Sequence, residues 1–301
     1  MLLKIICIIF VVHVSVYRCE ENNVHNLGKL GNLTIKYGNT AEIHFQIIDP
    51  SSKLLHSKIE ALQLEQSKLF AELTAKIDRL VLSNLQPAQF PGNCAEAAAL
   101  SRRSGVYQIV IPAYSVLPFL VSCNEDTQNG GWTVILRRED GSVNFFRHWN
   151  DYKHGFGNVN GEFFIGLDKL YAMTKDLNQE LLIAMEDFAG QKKFAKYERF
   201  AIESETNFYA LNTLGEYSGD AGDSLSGHLG NKFSARDKDN DQYEGNCAEI
   251  YTGGWWYNKC HASNLMGKYN ESTYGKGINW LLFSGHNASL KNVQMMIRHI
   301  R

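Results

Sequence analysis

The part of the chain richest in residues that can bind an ion begins at Asp237. Asp237, Asp239 and Asp241 occupy alternate positions, and Gly245 follows them closely. Carboxylates at this spacing, followed by a glycine at which the backbone can turn, suit a hard cation that takes six to eight oxygen ligands. The spacing favours a calcium site, and a solvated acidic turn that binds no ion is the alternative.

The same segment does not have the pattern of an EF-hand. An EF-hand loop requires glycine at its sixth position and a bidentate glutamate at its twelfth. Counted from Asp237, these positions hold Gln242 and Ala248. Any cation must therefore be held by another kind of loop.

Two cysteines enclose the aromatic segment that follows. A disulfide bond between Cys247 and Cys260 would close a loop of roughly 14 residues, which corresponds to a stabilisation of about 3 kcal/mol in the chain-entropy estimate. The loop contains Trp255, Trp256 and Tyr257, and it is too small to bury all three rings locally. Some of them must pack on the rest of the domain, and others can line a surface pocket.

Several motifs, in their order and spacing, resemble the fibrinogen C-terminal domain family, which includes fibrinogen chains, ficolins, tachylectins and angiopoietin-like ligands. The resemblance is carried by residues 129–138, 145–157, 161–167, 217–224, 237–265 and 277–280. It implies an α+β domain over residues 88–301, with an antiparallel sheet, short helices and long loops ordered by calcium.

The resemblance also implies the disulfide pairing. Cys94 pairs with Cys123, and Cys247 pairs with Cys260. Cys19 is left over, so it is either removed with an N-terminal leader or links two chains covalently.

A structural calcium site is a further implication of the resemblance. The ligands would be the carboxylates of Asp239 and Asp241 and the backbone carbonyls of Tyr243 and Gly245, with Asp237 outside them. Ligation by oxygen alone favours calcium over zinc or copper.

In ficolin and tachylectin relatives, a pocket beside this calcium site binds acetyl groups. The matching positions place Tyr251, Tyr274 and His286 in an aromatic funnel, with His261 beside them. Backbone N–H groups near a cis peptide bond, Lys259-Cys260, would bond the acetyl oxygen. His286 departs from the pattern, because acetyl-binding relatives usually carry tyrosine there. The alternative is that these rings only cover apolar surface and that His261 is structural.

Fibrinogen chains use the same region to hold amino-terminal peptides exposed by thrombin, with acidic and amide side chains. The matching positions here hold Ile250 and Tyr251. Neither can pair with an ammonium or guanidinium group as a carboxylate does. The sequence therefore disfavours binding of such peptides.

The N-terminal residues 1–19 have the layout of a secretory signal peptide. Lys4 precedes an apolar run over residues 5–16 that is too short to cross a bilayer comfortably, so no membrane span is expected. A non-cleaved anchor is the alternative. We expect a secreted, extracellular protein in which residues 20–51 form a flexible segment with a glycosylation sequon at Asn32.

Residues 52–86 predict a helix with one apolar stripe, interrupted by Gln66 and Lys76. The stripe falls at intervals of three, four or seven residues, at Ile59, Leu62, Leu69, Leu73 and Leu80. This pattern is typical of a coiled coil, so we expect a homo-oligomer, either dimer or trimer. The alternative is that the stripe packs on the globular domain. Pro87 and Pro91 mark the boundary.

Within the globular part, the sequence predicts strands at residues 106–111, 131–138, 181–188, 196–204 and 207–214. It predicts a helix at 95–104 and helical or turn segments at 167–174 and 263–265. Residues 215–275 show little periodicity, and we expect a metal and a disulfide bond to order them.

The sequence gives no sign of catalysis or of nucleic-acid binding. The formal net charge is −2, which does not call for a polyanionic partner. The sequence contains no His-Glu-x-x-His, Gly-x-Ser-x-Gly, Walker or Gly-x-Gly-x-x-Gly motif, so no enzyme is expected. Lys192, Lys193, Lys196 and Arg199 form a small basic cluster, which is expected to be a solvated face or a contact for anionic glycans.

The resemblance leaves two functions open. The first is a secreted, calcium-stabilised lectin of innate immunity that recognises acetylated glycans and gains avidity by oligomerisation. The second is a signalling or matrix ligand, similar to angiopoietin-type proteins, whose same face binds a protein receptor. Two further sequons, at Asn270 and Asn287, flank the expected pocket, and glycans there would crowd its mouth.

Overall fold

The computed structural model describes residues 31–37, 41–47, 52–84, 90–176 and 178–300. It divides into two units, residues 1–84 and 85–301. The expected signal peptide, Cys19 and Pro87 lie outside the described residues. In the first unit, side chains are described only for residues 59–76, so the Asn32 side chain is also outside the description.

The first unit contains a hairpin that the sequence analysis did not predict. Strand β1 (Gly31–Tyr37) pairs antiparallel with strand β2 (Ala41–Ile47), and Leu33 lies opposite Phe45. The hairpin corrects the expectation that residues 20–51 lack regular structure. Apolar residues alternate with polar ones along both strands, which is the period expected of a strand.

Helix α1 (Ser52–Asn84) occupies almost all of the segment predicted to be helical. The side chains from residue 59 to residue 76 are all exposed, and the exposed fractions of Leu62 and Leu69 are 62% and 66%. The stripe residues whose side chains are described, Ile59, Leu62, Leu69 and Leu73, are therefore uncovered in a single chain. Among the described residues, no helix has both the length and the apolar composition needed to cross a bilayer.

The second unit is built on one antiparallel sheet of nine strands, as the resemblance implies. Seven strands follow the order β12, β9, β8, β15, β5, β4, β3, and β7 pairs with both β5 and β6. The strands are β3 (Gly105–Ile111), β4 (Ser115–Asn124), β5 (Trp132–Arg138), β6 (Phe156–Gly157), β7 (Phe163–Phe164), β8 (Gln179–Glu186), β9 (Lys192–Tyr197), β12 (Tyr217–Gly219) and β15 (Asn292–His299).

The C-terminal strand β15 lies in the middle of this sheet, between β8 and β5. Met295 lies opposite Ile183 on one side and opposite Leu136 on the other. The sequence analysis predicted neither β15 nor β4. Residues 292–299 mix polar residues with two methionines, so their own strand preference is weak, and pairing on both sides decides their structure.

The remaining elements are short. Strands β10 (Phe200–Ile202) and β11 (Leu211–Leu214) form one small ribbon, and β13 (Ser263–Asn264) and β14 (Asn279–Trp280) form another. The helices are α2 (Cys94–Ala97), α3 (Trp149–His154), α4 (Leu167–Thr174), α5 (Cys247–Ile250) and α6 (Leu281–Ser284).

Two of the predicted local structures need correction. The helix predicted over 95–104 is much shorter and spans only Cys94–Ala97. The Asn93 side chain caps its N-terminus by accepting from the Glu96 backbone N–H at 3.0 Å. In the segment 263–265, predicted to be helical or a turn, Ser263 and Asn264 instead form strand β13 by pairing with β14, and Leu265 lies in a turn. The helix predicted at 167–174 is confirmed as α4.

Both disulfide bonds implied by the resemblance are present. Cys94 is bonded to Cys123, which joins α2 to β4, and Cys247 is bonded to Cys260. The two bonds therefore fasten the start of the domain and the long loop region, respectively.

A buried ion pair connects the end of strand β5 to two loops. The Arg138 guanidinium lies 3.3 Å from the Glu162 carboxylate, and both side chains are buried. Arg138 also donates to the backbone carbonyls of Leu265 and Gly267, while Glu162 accepts from the backbone N–H of Val143. Burial lowers the pKa of Arg138 to about 10, and the Glu162 carboxylate opposes this shift.

Candidate functional site

The three aromatic residues between the cysteines all enter the core of the second unit. Trp255, Trp256 and Tyr257 are fully buried. The Trp256 indole N–H donates to the Tyr209 carbonyl at 2.8 Å, and Trp255 exchanges two backbone hydrogen bonds with Ser234. These rings thus anchor the loop to the domain and do not line a surface pocket.

A glycine allows this run to enter the core. A Cβ atom on Gly254 would come within 2.6 Å of the Tyr152 ring, a contact too close for any other residue. The backbone N–H of Gly254 instead donates to the Tyr152 hydroxyl at 2.7 Å. This contact therefore fixes the backbone at Gly254, directly before Trp255, against the core.

The acidic segment folds back on itself next to this anchor. Asp241 accepts hydrogen bonds from the backbone N–H groups of Tyr243 (2.8 Å) and Cys247 (2.9 Å), and Asp239 accepts one from the N–H of Asp241. Burial raises the pKa of Asp241, and the neighbouring Asp239 carboxylate raises it further. Asp237 is directed elsewhere, because its carboxylate accepts from the Trp149 backbone N–H at 2.6 Å.

The donor set at this loop suits a hard cation. The backbone carbonyls of Tyr243 and Gly245 accept no hydrogen bond from the described residues, so both oxygens are available. No group of three or more His, Cys, Asp or Glu residues in the described part of the chain is placed to hold a metal. Asp239 and Asp241 therefore need carbonyl oxygens to complete a site, which is the mixed oxygen set that calcium accepts.

Four rings, which we call the ring row, contact each other in sequence beside this loop: Tyr251, His261, His286 and Tyr274. The centroid distances between neighbours are 4.6, 5.1 and 4.9 Å. These are contact distances for aromatic rings, so a ligand would lie on the row and not between its neighbours. The structure brings these four residues together, but as a row of rings in contact and not as an open funnel, and their ligand-binding role stays a prediction.

The close packing of the ring row depends on Gly275. This residue has a φ of 72°, and a Cβ atom there would lie 2.5 Å from the Tyr251 ring and 3.1 Å from His261 Nε2. Its backbone N–H donates to the His286 carbonyl at 2.8 Å. Gly275, which follows Tyr274 in the chain and lies against the Tyr251 ring, therefore brings the two ends of the row close together.

The histidines of the ring row have unused hydrogen-bonding capacity. Both ring nitrogens of His261 and Nδ1 of His286 are buried and have no protein partner. Burial lowers the pKa of His261 to about 3, and the imidazoles of His286 and His228 add to the shift. Burial also lowers the pKa of His286. Neutral imidazoles each offer one donor and one acceptor to a ligand or to water.

The peptide bond between Lys259 and Cys260, the residue that precedes His261, is cis, as the resemblance implies. The Cys260 carbonyl accepts from the Asn258 N–H at 2.8 Å. No hydrogen bond from the backbone N–H groups of Cys260 and His261 to another described residue is present. Two donors beside the ring row are thus free, while the Lys259 side chain is exposed.

His228 supports this segment from behind, and the sequence analysis did not identify it. Its Nε2 accepts from the backbone N–H groups of Ala262 and Ser263, both at 3.2 Å, so the proton lies on Nδ1 and is donated to the Trp256 carbonyl at 2.7 Å. Burial lowers the pKa of His228 to about 4. No motif in the sequence marks this residue, because its partners are backbone groups far along the chain.

The other predicted surface features are also located. Asn270 and Asn287 are exposed, so both sequons are accessible. In the basic cluster, Lys196 pairs with Glu180 at 2.6 Å and Lys192 lies 3.8 Å from Glu186. These pairings favour the interpretation of the cluster as an ordinary charged surface.

A sequence profile of the C-terminal globular domain of fibrinogen beta and gamma chains matches residues 90–300. The chain therefore belongs to this family. Human angiopoietin-related protein 2 is 45% identical over 211 residues, which cover 68% of this chain and 43% of that protein. Human tenascin-R is 46% identical over 196 residues, which cover 65% of this chain and 14% of that protein. The chain thus spans less than half the length of these relatives.

Solved structures agree with this assignment. The fibrinogen-like globe domain of human ANGPTL2 matches with a TM-score of 0.67 at 45% identity and covers 69% of this chain and 99% of that chain. A lamprey fibrin D-dimer in complex with the peptide Gly-His-Arg-Pro-amide matches with a TM-score of 0.64 at 31% identity and covers 81% of this chain and 90% of that chain. The fold expected from the resemblance is confirmed.

The buried His228 predicts a defined pH dependence of stability. Its folded pKa, about 4, lies below the ordinary value of 6.5, so the unfolded chain takes up a proton first as the pH falls. The stabilisation is complete above pH 6.5 and is lost as the pH falls towards 4. Between pH 7 and pH 5, we expect the unfolding free energy of the wild type to decrease by about 2 kcal/mol more than that of His228→Gln.

Urea denaturation followed by tryptophan fluorescence at several pH values measures this difference. His261 is present in both proteins, so its own titration cancels in the comparison. Equal slopes in the two proteins would contradict the assignment of a neutral, buried His228.

Proposed function

We propose that the chain is an extracellular, non-catalytic ligand that binds a protein receptor through the face formed by the acidic loop and the ring row. The proposal draws on the 45% identity to angiopoietin-related protein 2 across the fibrinogen-like domain. We assign receptor binding to this face because it has an exposed patch of apolar and aromatic side chains.

This exposed patch consists of Tyr243, Ile250 and Tyr274, arranged around Tyr251. The exposed fractions of the three side chains are 50%, 40% and 60%. Tyr251 is close enough to the Tyr274 and Tyr243 phenols for both to raise its pKa, although burial is the larger cause. Contiguous exposed apolar surface of this kind marks interaction sites, and tyrosine is enriched in protein interfaces.

Calcium would stabilise this face without taking part in chemistry. The carboxylates of Asp239 and Asp241 and the carbonyls of Tyr243 and Gly245 are the ligands that support the assignment. A bound ion offsets the repulsion between the two carboxylates and orders the loop that carries Tyr243. Receptor binding would then depend on calcium through the shape of the loop.

We expect calcium to raise the stability of the wild-type protein by about 2.7 kcal/mol when its concentration is a hundred times the dissociation constant. In Asp239→Asn, the amide oxygen can still accept from the Asp241 N–H, but one charged ligand is lost. The stabilisation by calcium should therefore be much smaller in this variant, as measured by thermal denaturation with calcium and with a chelator.

Glu244→Gln is the matched control for this measurement. Glu244 is an exposed carboxylate of the same loop that is outside the set of ligands. A wild-type protein indifferent to calcium, or an equal loss in Glu244→Gln and Asp239→Asn, would exclude the proposed ion.

A lectin that recognises acetyl groups is the second candidate, and the ring row favours it. The free backbone N–H groups of Cys260 and His261 could bond the carbonyl of an acetylated sugar. The exposed ring of Tyr274 could pack on its methyl group. Such a lectin would act in innate-immune recognition of glycans.

Binding of fibrin-type peptides is less well supported. The lamprey fibrin D-dimer was solved with a Gly-His-Arg-Pro-amide peptide, whose amino terminus and arginine are positively charged. The corresponding positions of this chain hold Ile250 and Tyr251, which provide no carboxylate to pair with those charges.

Two substitutions distinguish the receptor from the lectin. Tyr274 belongs to both the exposed patch and the ring row, whereas Ile250 belongs to the exposed patch alone. If a receptor binds this face, we expect Tyr274→Ala and Ile250→Arg each to weaken binding to cells by about 30-fold, which is the effect of a hot-spot residue. Excess N-acetyl sugar should not compete.

Titrations of the labelled protein on cells and on an array of acetylated and non-acetylated glycans provide the measurement. Leu120→Arg, at an exposed position of strand β4, is the control. If Tyr274→Ala alone weakens binding and N-acetyl sugar competes, the lectin is the correct function. If neither substitution has an effect, the assignment of binding to this face is wrong.

We also propose that helix α1 joins chains into a homo-oligomer. The described part of its apolar stripe, from Ile59 to Leu73, is exposed in the single chain, and a parallel coiled coil would bury it. Oligomerisation would raise the avidity of either kind of binding.

Sedimentation equilibrium tests the oligomer with two leucines of the same helix. Leu69 lies on the stripe and Leu64 does not, although both are exposed. We expect Leu69→Lys to reduce a dimeric or trimeric mass to that of one chain and Leu64→Lys to leave it unchanged. A wild-type protein that is monomeric at micromolar concentration would contradict the proposal.

A further inference from the structure

Two asparagines in glycosylation sequons lie next to the ring row in the chain. Asn287 directly follows His286, and Asn270 precedes Tyr274 by four residues. Both asparagines are exposed. The backbone N–H of Asn270 donates to the Ser289 hydroxyl at 3.2 Å, so the two sequon loops are held side by side.

The turn that carries Asn287 is fixed on both sides. The His286 carbonyl accepts from the Gly275 N–H at 2.8 Å, and the Ala288 carbonyl accepts from the Asn279 side chain at 2.7 Å. In contrast, the exposed side chain of Asn287 makes no hydrogen bond with the described residues. The backbone on both sides of the attachment point is therefore held in place, directly next to His286 in the chain.

An N-linked glycan at this position would meet exposed aromatic surface. Consecutive Cα atoms are about 3.8 Å apart, which is less than the width of one pyranose ring. The Tyr274 ring lies 4.9 Å from the His286 ring and is 60% exposed. The first sugar of an N-linked glycan is N-acetylglucosamine, whose apolar face and acetamido group suit an aromatic surface with free hydrogen-bonding groups.

We propose that Asn287 carries an N-linked glycan whose first N-acetylglucosamine lies over His286 and Tyr274, so that chains carrying this glycan bind outside ligands at the ring row more weakly than chains in which Asn287 is unmodified. The bond forms between the Asn287 carboxamide nitrogen and C1 of the sugar. The bond from C1 to the pyrophosphate of a lipid-linked oligosaccharide donor breaks, and the amide proton passes to solvent. The inference rests on the extracellular location proposed above, and it adds a means of regulating the same face.

Asn270 provides the contrasting position. Between it and Tyr274, Glu271 accepts from both the backbone N–H and the hydroxyl of Thr273. This turn separates Asn270 from the ring row along the chain, whereas Asn287 has no residue between itself and His286. The inference therefore assigns the shielding sugar to Asn287 alone.

The test measures chemical labelling of tyrosines in the full chain secreted from eukaryotic cells. Mass spectrometry first determines the occupancy of each sequon. Iodination of Tyr274 is then compared with that of Tyr243, the internal reference, before and after enzymatic treatment. We expect labelling of Tyr274 to rise at least threefold in Asn287→Gln, or after removal of the whole glycan, and to stay low when an endoglycosidase leaves the first sugar.

Asn270→Gln is the matched control and should leave the labelling of Tyr274 unchanged. An unmodified Asn287, equal labelling in the wild type and Asn287→Gln, or an equal rise in Asn270→Gln would overturn the inference. A rise after endoglycosidase treatment would also overturn it, because the first sugar would not be the shielding group.

This measurement needs neither a receptor nor a sugar ligand, so it is separate from the binding assays above. If the labelling behaves as expected while adding Tyr274→Ala to Asn287→Gln leaves cell binding intact, the proposed function fails and the glycan assignment remains. If cell binding depends on Tyr274 but the labelling does not change, only the glycan assignment fails.

Discussion

Burial of the segment Trp255–Tyr257 is the interaction on which the whole loop region depends. The loops between β12 and β15 contain little regular structure, and backbone without such structure must find its stability in side-chain burial and in other hydrogen bonds. Three large rings that are fully removed from water supply several kcal/mol of hydrophobic stabilisation. The Trp256 indole N–H reaches the Tyr209 carbonyl, and the Trp256 carbonyl accepts from His228. Since His228 in turn accepts from Ala262 and Ser263, the anchored segment fixes the backbone on which the ring row begins.

The Cys247–Cys260 disulfide bond connects the two halves of the candidate face. Cys247 begins helix α5, and its backbone N–H is bonded to Asp241 in the acidic loop. Cys260 lies in the cis peptide bond beside the free N–H groups and His261. An ion bound by Asp239 and Asp241 would therefore act on the ring row through one covalent link and a few hydrogen bonds. The fold thus connects the acidic loop, where we propose the ion, to the ring row through the disulfide bond.

The parts of this architecture that the sequence reveals are those with a local pattern. Strand β5 alternates Trp132, Val134 and Leu136 with other residues, and the acidic loop repeats its carboxylates at every second position. Strand β15 has no such pattern, because it takes its structure from two neighbours that are over a hundred residues away in the chain. His228 is hidden for the same reason, since all of its partners are backbone groups brought near by the fold. The hairpin of β1 and β2 is a different case, because its alternation is present in the sequence but lies in a short polar segment.

The ring row could be described only by combining the resemblance to known relatives with the structure. The resemblance to known relatives grouped Tyr251, Tyr274, His261 and His286, and the structure adds that the rings pack against each other with unpaired nitrogens. Six of the eight buried side-chain atoms without a partner in the described residues lie here or in the adjoining ribbon of β13 and β14, on His261, His286, Ser263, Asn264 and Asn279. Unsatisfied polar atoms carry a free-energy cost of about 1–3 kcal/mol each, and such atoms are rare in a stable core. Their concentration in one place indicates that this part of the domain is completed by water or by a bound polar group. The neutral imidazole of His286 carries a donor and an acceptor on one ring, which suits such a completion.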